Sequence, residues 1–228
     1  MLHPFGFIEG IFDQYIDAHD GPFGIPSFSQ QFYETDLKRG FVRGYTFQLE
    51  RSFGPLHHAW GSFVNKPVPW GADHHQVMRR RFPHVIRVTV LGEDLPQENN
   101  SVSIDPEVKD SSGIPAPRVT YAYNENSLKM LDHGFAMAKQ VLEAAGAVEM
   151  LESGVIAPAF HLLGTARMGS DPRKSVVNAR HQAHDVKNLF IVDGSSFTTS
   201  AGVNPTSTIG ALALRCGDGI WERRREWI

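Results

Sequence analysis

Apolar and polar positions alternate at two different periods along this chain. Val85-Ile86-Arg87-Val88-Thr89-Val90 repeats at period two, the mark of a half-buried strand. The stretch from Val42 to Glu50 does the same. Gly92-Glu93-Asp94-Leu95-Pro96 breaks the first run, and Asn99-Asn100 suits a turn. Ser101-Val102-Ser103-Ile104 then reads as a returning strand, and Asp110-Ser111-Ser112-Gly113 as a turn before Arg118-Val119-Thr120-Tyr121. Residues 42–123 are therefore expected to form antiparallel strands joined by polar turns. From Ser127 to Ala145 the period changes to that of a helix, with Leu131, Phe135, Ala138, Val141, Leu142 and Ala145 on the buried stripe. Asn126 or Ser127 can cap it and Gly146 can end it. Residues 1–40, rich in Phe, Gly and Pro, show no clear period and read as covering loops and short helical turns. Residues 53–75, with Trp60, Trp70 and two His pairs, read as loop.

The texture changes after residue 150. Leu189-Phe190-Ile191-Val192 is a continuous apolar run, as in a strand buried on both faces of a parallel sheet. It ends in Asp193-Gly194, where an open α/β sheet presents its ligand loops. Asn204-Pro205 reads as a cap followed by a first helical residue. Ile209, Leu212, Ala213, Cys216 and Ile220 follow at helical spacing. The fold class expected is α+β, divided into residues 1–150 and 151–228.

Composition narrows the function classes. The 228 residues are 41% hydrophobic and 21% charged, ordinary for a globular protein. A net charge of −3 argues against a general nucleic-acid binder. Arg223-Arg224-Arg225 reads as the solvated end of a helix. The single cysteine, Cys216, excludes an internal disulfide and reads as a small core residue. No apolar run approaches the ~20 residues of a membrane span. The start lacks the apolar region of a secretory signal, so a cytoplasmic location is the default expectation.

The chemistry concentrates between residues 161 and 208. His161 opens a Gly-containing stretch, His161-Leu162-Leu163-Gly164-Thr165-Ala166-Arg167-Met168-Gly169. Taken alone, this histidine reads first as a buried residue tied to a backbone carbonyl, and second as a proton acceptor. The helix start at Asn204-Pro205-Thr206 reads first as an ordinary capped helix, and second as a site for a negative group. An Asn204 side chain that caps the helix is not free to touch a substrate. The pairs His57-His58 and His74-His75 lack metal-ligand spacing, so no metal is expected. Neither a Gly-x-Ser-x-Gly elbow nor a Gly-x-Gly-x-x-Gly turn occurs.

Taken together, His161 to Gly169, the strand run Asn188 to Ser195, and Ser200-Ala201-Gly202-Val203-Asn204-Pro205-Thr206 resemble the C-terminal half of the glucose-methanol-choline (GMC) family of flavin oxidoreductases. The wording is nearest to bacterial members of the gluconate and sugar dehydrogenase type. The resemblance implies an antiparallel substrate-domain sheet with helices, plus the C-terminal strand and helix of an incomplete FAD-binding α/β domain. It implies FAD as cofactor and a small alcohol or sugar as substrate. By the resemblance His161 is the catalytic base and Asn204 its partner on the substrate oxygen. Asp193, Gly194, Pro205, Thr206 and Ser207 would contact the flavin. Asn178 stands where members usually carry Asp, after Val176-Val177. The missing Gly-x-Gly-x-x-Gly turn implies a fragment or split subunit that needs an FAD-binding partner segment. An inactive remnant and a non-enzymatic sugar-binding module are the alternatives.

Overall fold

The structure, a computed structural model, describes residues 1–17, 20, 24–51, 54–60, 64–157 and 160–226, the side chain of residue 226 excepted. Within the stretch read as loop, residues 53 and 61–63 lie outside the described residues. The chain forms two compact units, each assembled from separate pieces of sequence. One comprises Pro4–Glu93 and Asn124–Ala159; the other comprises Met1–His3, Asp94–Tyr123 and Phe160–Ile228. Packing thus divides the chain at points other than residue 150. We call the first the sheet unit and the second the motif unit.

Among the described residues, the elements in chain order are β1 (Phe5–Ile11), β2 (Ser27–Ser29), β3 (Tyr45–Glu50), α1 (Pro55–Trp60), α2 (His74–Arg81), β4 (Val85–Gly92), β5 (Ser101–Lys109), β6 (Pro115–Thr120), α3 (Glu125–Ala144), β7 (Glu149–Glu152) and α4 (Thr206–Glu222), with short 3-10 turns. The mixed helix and strand composition and the antiparallel sheet are as expected.

The sheet unit holds a five-stranded antiparallel sheet in the order β2-β3-β4-β1-β7. The expected strands at Val42–Glu50 and Val85–Val90 are β3 and β4. The loop reading of residues 1–40 is corrected: β1 lies inside the sheet and all seven of its residues are buried. Gly6 and Gly10 hid it, because glycine in a run reads as a turn signal. They serve close packing instead. A Cβ on Gly6 would stand 2.4 Å from the Phe135 ring and 2.6 Å from Gly154 O, and one on Gly10 would stand 2.8 Å from Leu142. The loop reading of residues 53–75 is also corrected in part, by α1 and the first turn of α2.

α3 lies on this face of the sheet. Asn124, rather than Asn126 or Ser127, caps it, accepting a hydrogen bond from Ser127 N at 2.8 Å. Met130, Leu131, Gly134, Phe135, Ala138 and Leu142 are buried with Ile8, Tyr45, Phe47, Val88 and Val90. Val141 and Ala145 are exposed, a correction to the expected stripe. Gly134 and Met130 take those places because the buried stripe drifts with the 3.6-residue turn. The opposite face is unusual. Registration places Glu9, Arg87 and Glu50 side by side on β1, β4 and β3, and all but Glu50 are buried.

In the motif unit β5 and β6 pair only with each other, so β5 does not return onto β4. The strand expected at Leu189–Val192 is corrected too. Its one ladder contact is a bridge from Phe190 to Gln182, and Leu189 is exposed. An apolar run becomes a buried strand only with neighbours on both sides, and among the described residues only the 181–183 segment lies beside it. α4 follows as expected, with Cys216 buried and its Sγ on Arg180 O. At its end Arg223 and Arg224 bond to the last carbonyls, at 3.1 and 2.8 Å. No described helix is long and apolar enough to cross a membrane.

Candidate active site

The three stretches singled out by sequence meet within the motif unit. Gly164 N donates to Gly194 O at 3.1 Å, Ala166 N to Ser195 O at 2.8 Å, and Met168 N to Ser196 O at 2.8 Å. Alternate amides of the His161 stretch are thus spent on the turn that follows Asp193. Gly194 has no room for a side chain: a Cβ would stand 2.7 Å from Leu163, 2.9 Å from Leu162 O and 3.4 Å from Ile209 of α4. This one glycine lets the His161 stretch, the Asp193 turn and α4 approach each other.

His161 sits at the head of that arrangement, with φ at 64° in the left-handed region. Such a φ is uncommon for a residue with a Cβ. Its Nδ1 is buried and makes no hydrogen bond. Burial holds the imidazole below its ordinary range, so the ring is neutral at pH 7. A neutral imidazole with an unspent nitrogen is a competent proton acceptor. The backbone-tied histidine of the first sequence reading is found elsewhere, at His181, whose Nδ1 lies 3.0 Å from Ile191 O.

Asp193 is exposed and turns its carboxylate inward along the chain, accepting from Ser195 N at 2.8 Å. Asn204 does not occupy the capping position of α4. Pro205 does, and it offers no side-chain capping bond of its own. Thr206 and Ser207 are exposed at the helix start, whose amides carry the positive end of the dipole.

Sequence reasoning missed what holds these stretches. Asp94 is 1% exposed. Its Oδ2 accepts from Leu2 N at 3.1 Å and from the Tyr121 hydroxyl at 2.9 Å. Its backbone N donates to Ser200 Oγ at 2.9 Å, which pins the segment leading to Asn204. Burial beside that carboxylate pushes the Tyr121 phenol up. Met1 and Leu163 exchange backbone bonds at 2.8 and 3.0 Å. These partners lie up to 162 positions apart, and no local signal marks them. A cavity of about 280 Å³ opens beside the loop, lined by Leu163, Gly164, Thr165, Arg167, Phe197 and Thr198 among others. His161 and Asn204 are not among its lining residues. Asn178, the noted departure, accepts from Arg180 N at 2.8 Å and shapes a local turn. The His pairs serve the sheet unit: His57 reaches Arg87 at 3.3 Å, and His74 stacks on Trp70.

The chain is similar to known proteins over this whole region. It is 47% identical over 210 residues to 2-methyl-1,2-propanediol dehydrogenase of Mycolicibacterium austroafricanum, covering 91% of this chain and 38% of that protein. It is 36% identical over 143 residues to the fructose dehydrogenase large subunit of Gluconobacter japonicus, covering 63% of this chain and 26% of that one. The chain thus spans well under half the length of these curated relatives. Its fold matches formate oxidase of Aspergillus oryzae with a TM-score of 0.63 at 16% identity, over all of this chain and 47% of that one. The family model for GMC oxidoreductases matches residues 96–213, which takes in every stretch of the site, and the chain belongs to that family.

Proposed function

We propose that this chain carries the proton-transfer half of an FAD-dependent site that oxidises the CH–OH group of a small alcohol or sugar. The observation behind it is His161: a half-buried, neutral imidazole whose buried Nδ1 makes no hydrogen bond, on a loop tied to the Asp193 turn. The relatives act, by their names, on a small diol and on fructose.

The residues fit the flavin end of FAD. The lack of a side chain at Gly194 lets the His161 stretch and α4 close in on the Asp193 turn, which gathers the residues that would face the cofactor. The start of α4 offers the amides near Pro205, Thr206 and Ser207 to an electron-rich edge. Bound FAD supplies the hydride acceptor. His161 accepts the substrate hydroxyl proton, and Asn204 hydrogen-bonds the same oxygen. Asp193 and Gly194 hold the cofactor's ribityl or pyrophosphate region. Within this reading, residues 1–150 serve substrate binding and residues 151–228 face the flavin. The chain has no Gly-x-Gly-x-x-Gly turn, so an FAD-binding segment or subunit is the required partner.

The test is to co-express the chain with such a segment and assay dye-linked oxidation of 1,2-diols and sugars. His161→Ala should lower kcat/KM by about 10²–10⁴-fold, the usual range for a lost general base. An active complex in which His161→Ala matches the parent would sink the assignment.

A further inference from the structure

We propose that His3 is a positioning residue for His161, its ring forming the wall that holds the His161 imidazole in place and keeps water from it. The inference rests on the reading of His161 as proton acceptor. His3 is fully buried, and its ring stands edge-to-face with that of His161, with 4.9 Å between centroids and 85° between planes. Phe160 stands on another side, 6.5 Å away at 57°.

The backbone contacts point the same way. His3 N donates to Phe160 O at 3.4 Å, just before His161. Met1 and Leu163 exchange bonds just after it. The Tyr123 hydroxyl donates to His3 O at 2.7 Å, which fixes His3 in turn. His161 is therefore clamped on both sides by residues 1–3. A left-handed residue persists only where its surroundings over-determine it, and this clamp does so. The titratable groups around His161 are His3 itself and the Asp94–Tyr121 pair at Leu2. Burial is what lowers the His161 imidazole, so removing the wall admits water and brings it back up.

The experiment uses the full chain with ¹⁵N-labelled histidine and follows ring nitrogens between pH 5 and 8. His161→Gln identifies the His161 signals. His3→Ala should raise the His161 pKa toward the ordinary ~6.5. His3→Phe keeps an aromatic wall and should restore the parent titration. An unchanged His161 titration in a folded His3→Ala chain overturns the proposal, and so does a His3→Phe shift as large as that of His3→Ala. If His3→Ala does not fold, Tyr123→Phe, which removes the hydroxyl that bonds His3 O, should give a smaller shift in the same direction; no shift there also overturns it. None of these readouts needs flavin or turnover. Failure of the base assignment would appear only in the activity of His161→Ala, so the two ideas fail separately.

Discussion

Arg87 shows what one buried charge demands. It is 2% exposed on β4, with Glu9 of β1 at 1% beside it. Its Nε reaches Glu9 Oε1 at 3.2 Å, and its guanidinium lies 3.8 Å from the Phe7 ring centroid. Glu50 and His57 approach from β3 and α1, at 3.7 and 3.3 Å. Two ions in an apolar sheet interior repay their desolvation only while paired. Arg87→Met should therefore cost roughly 3–5 kcal/mol, because Glu9 is left buried without its ion partner. Glu9→Leu together with Arg87→Met should cost clearly less than Arg87→Met alone, since the most buried carboxylate is then gone and only the less buried Glu50 has lost its partner. Urea unfolding of the two variants checks this. At Gly194 the constraint is steric. Gly194→Ala places a Cβ against Leu163 and Leu162 O, and should destabilise by about 1–3 kcal/mol. His161 ring signals should shift in the same variant, because the bond from Gly164 N to Gly194 O is strained with it.

At the scale of elements, the helix and the sheet decide each other. α3 meets β4 where Gly134 faces Val90, and a Cβ there would stand 2.6 Å from Val90 Cγ1. The aromatic residues Phe47 and Tyr45 fill the same layer. Leu131, fully buried at its centre, should cost about 2–5 kcal/mol when cut to Ala. Gly134→Ala should also destabilise, against the ordinary gain in helix propensity of nearly 1 kcal/mol. A thermal scan that finds Gly134→Ala more stable than the parent would contradict the close approach of helix and strand. Asn124→Ala removes the cap bond to Ser127 N and should cost about 1 kcal/mol.

At the scale of the molecule, burial holds His57, His133 and His161 below the ordinary histidine range. A histidine whose folded pKa is lowered binds its proton more readily in the unfolded chain. Its contribution to stability is complete above about pH 6.5 and is lost as pH falls from there through its folded value. Glu50 and Glu93, raised by burial, act in the opposite sense from about pH 4.5 upward. Comparing variants cancels the glutamate effect. His133→Gln should lose part of the parent's fall in urea midpoint between pH 7 and pH 6. His133 Nδ1 lies 2.8 Å from the Tyr45 hydroxyl, so the variant keeps a polar partner. An identical pH dependence in parent and variant would refute this role for His133.

What the sequence determined by itself was local. The period-two run at Val85–Val90, the helical stripe around Leu131 and Phe135, and the order His161, Asp193, Asn204 can all be read from neighbours a few residues apart. The GMC membership and the α+β class followed from those same short stretches. Tertiary structure decided whatever depends on distant partners. β1 became an inner strand because Gly6 and Gly10 admit α3. Leu189–Val192 kept only a single bridge to Gln182 and formed no strand, because an apolar run cannot supply its own neighbours. Asp94 and His3 joined the site through bonds and ring contacts spanning scores of residues. Periodicity reports which face a residue shows, whereas packing reports what meets that face. His161 illustrates the division: its place in a motif is sequence, but its neutral, clamped ring is made by residues at the far end of the chain.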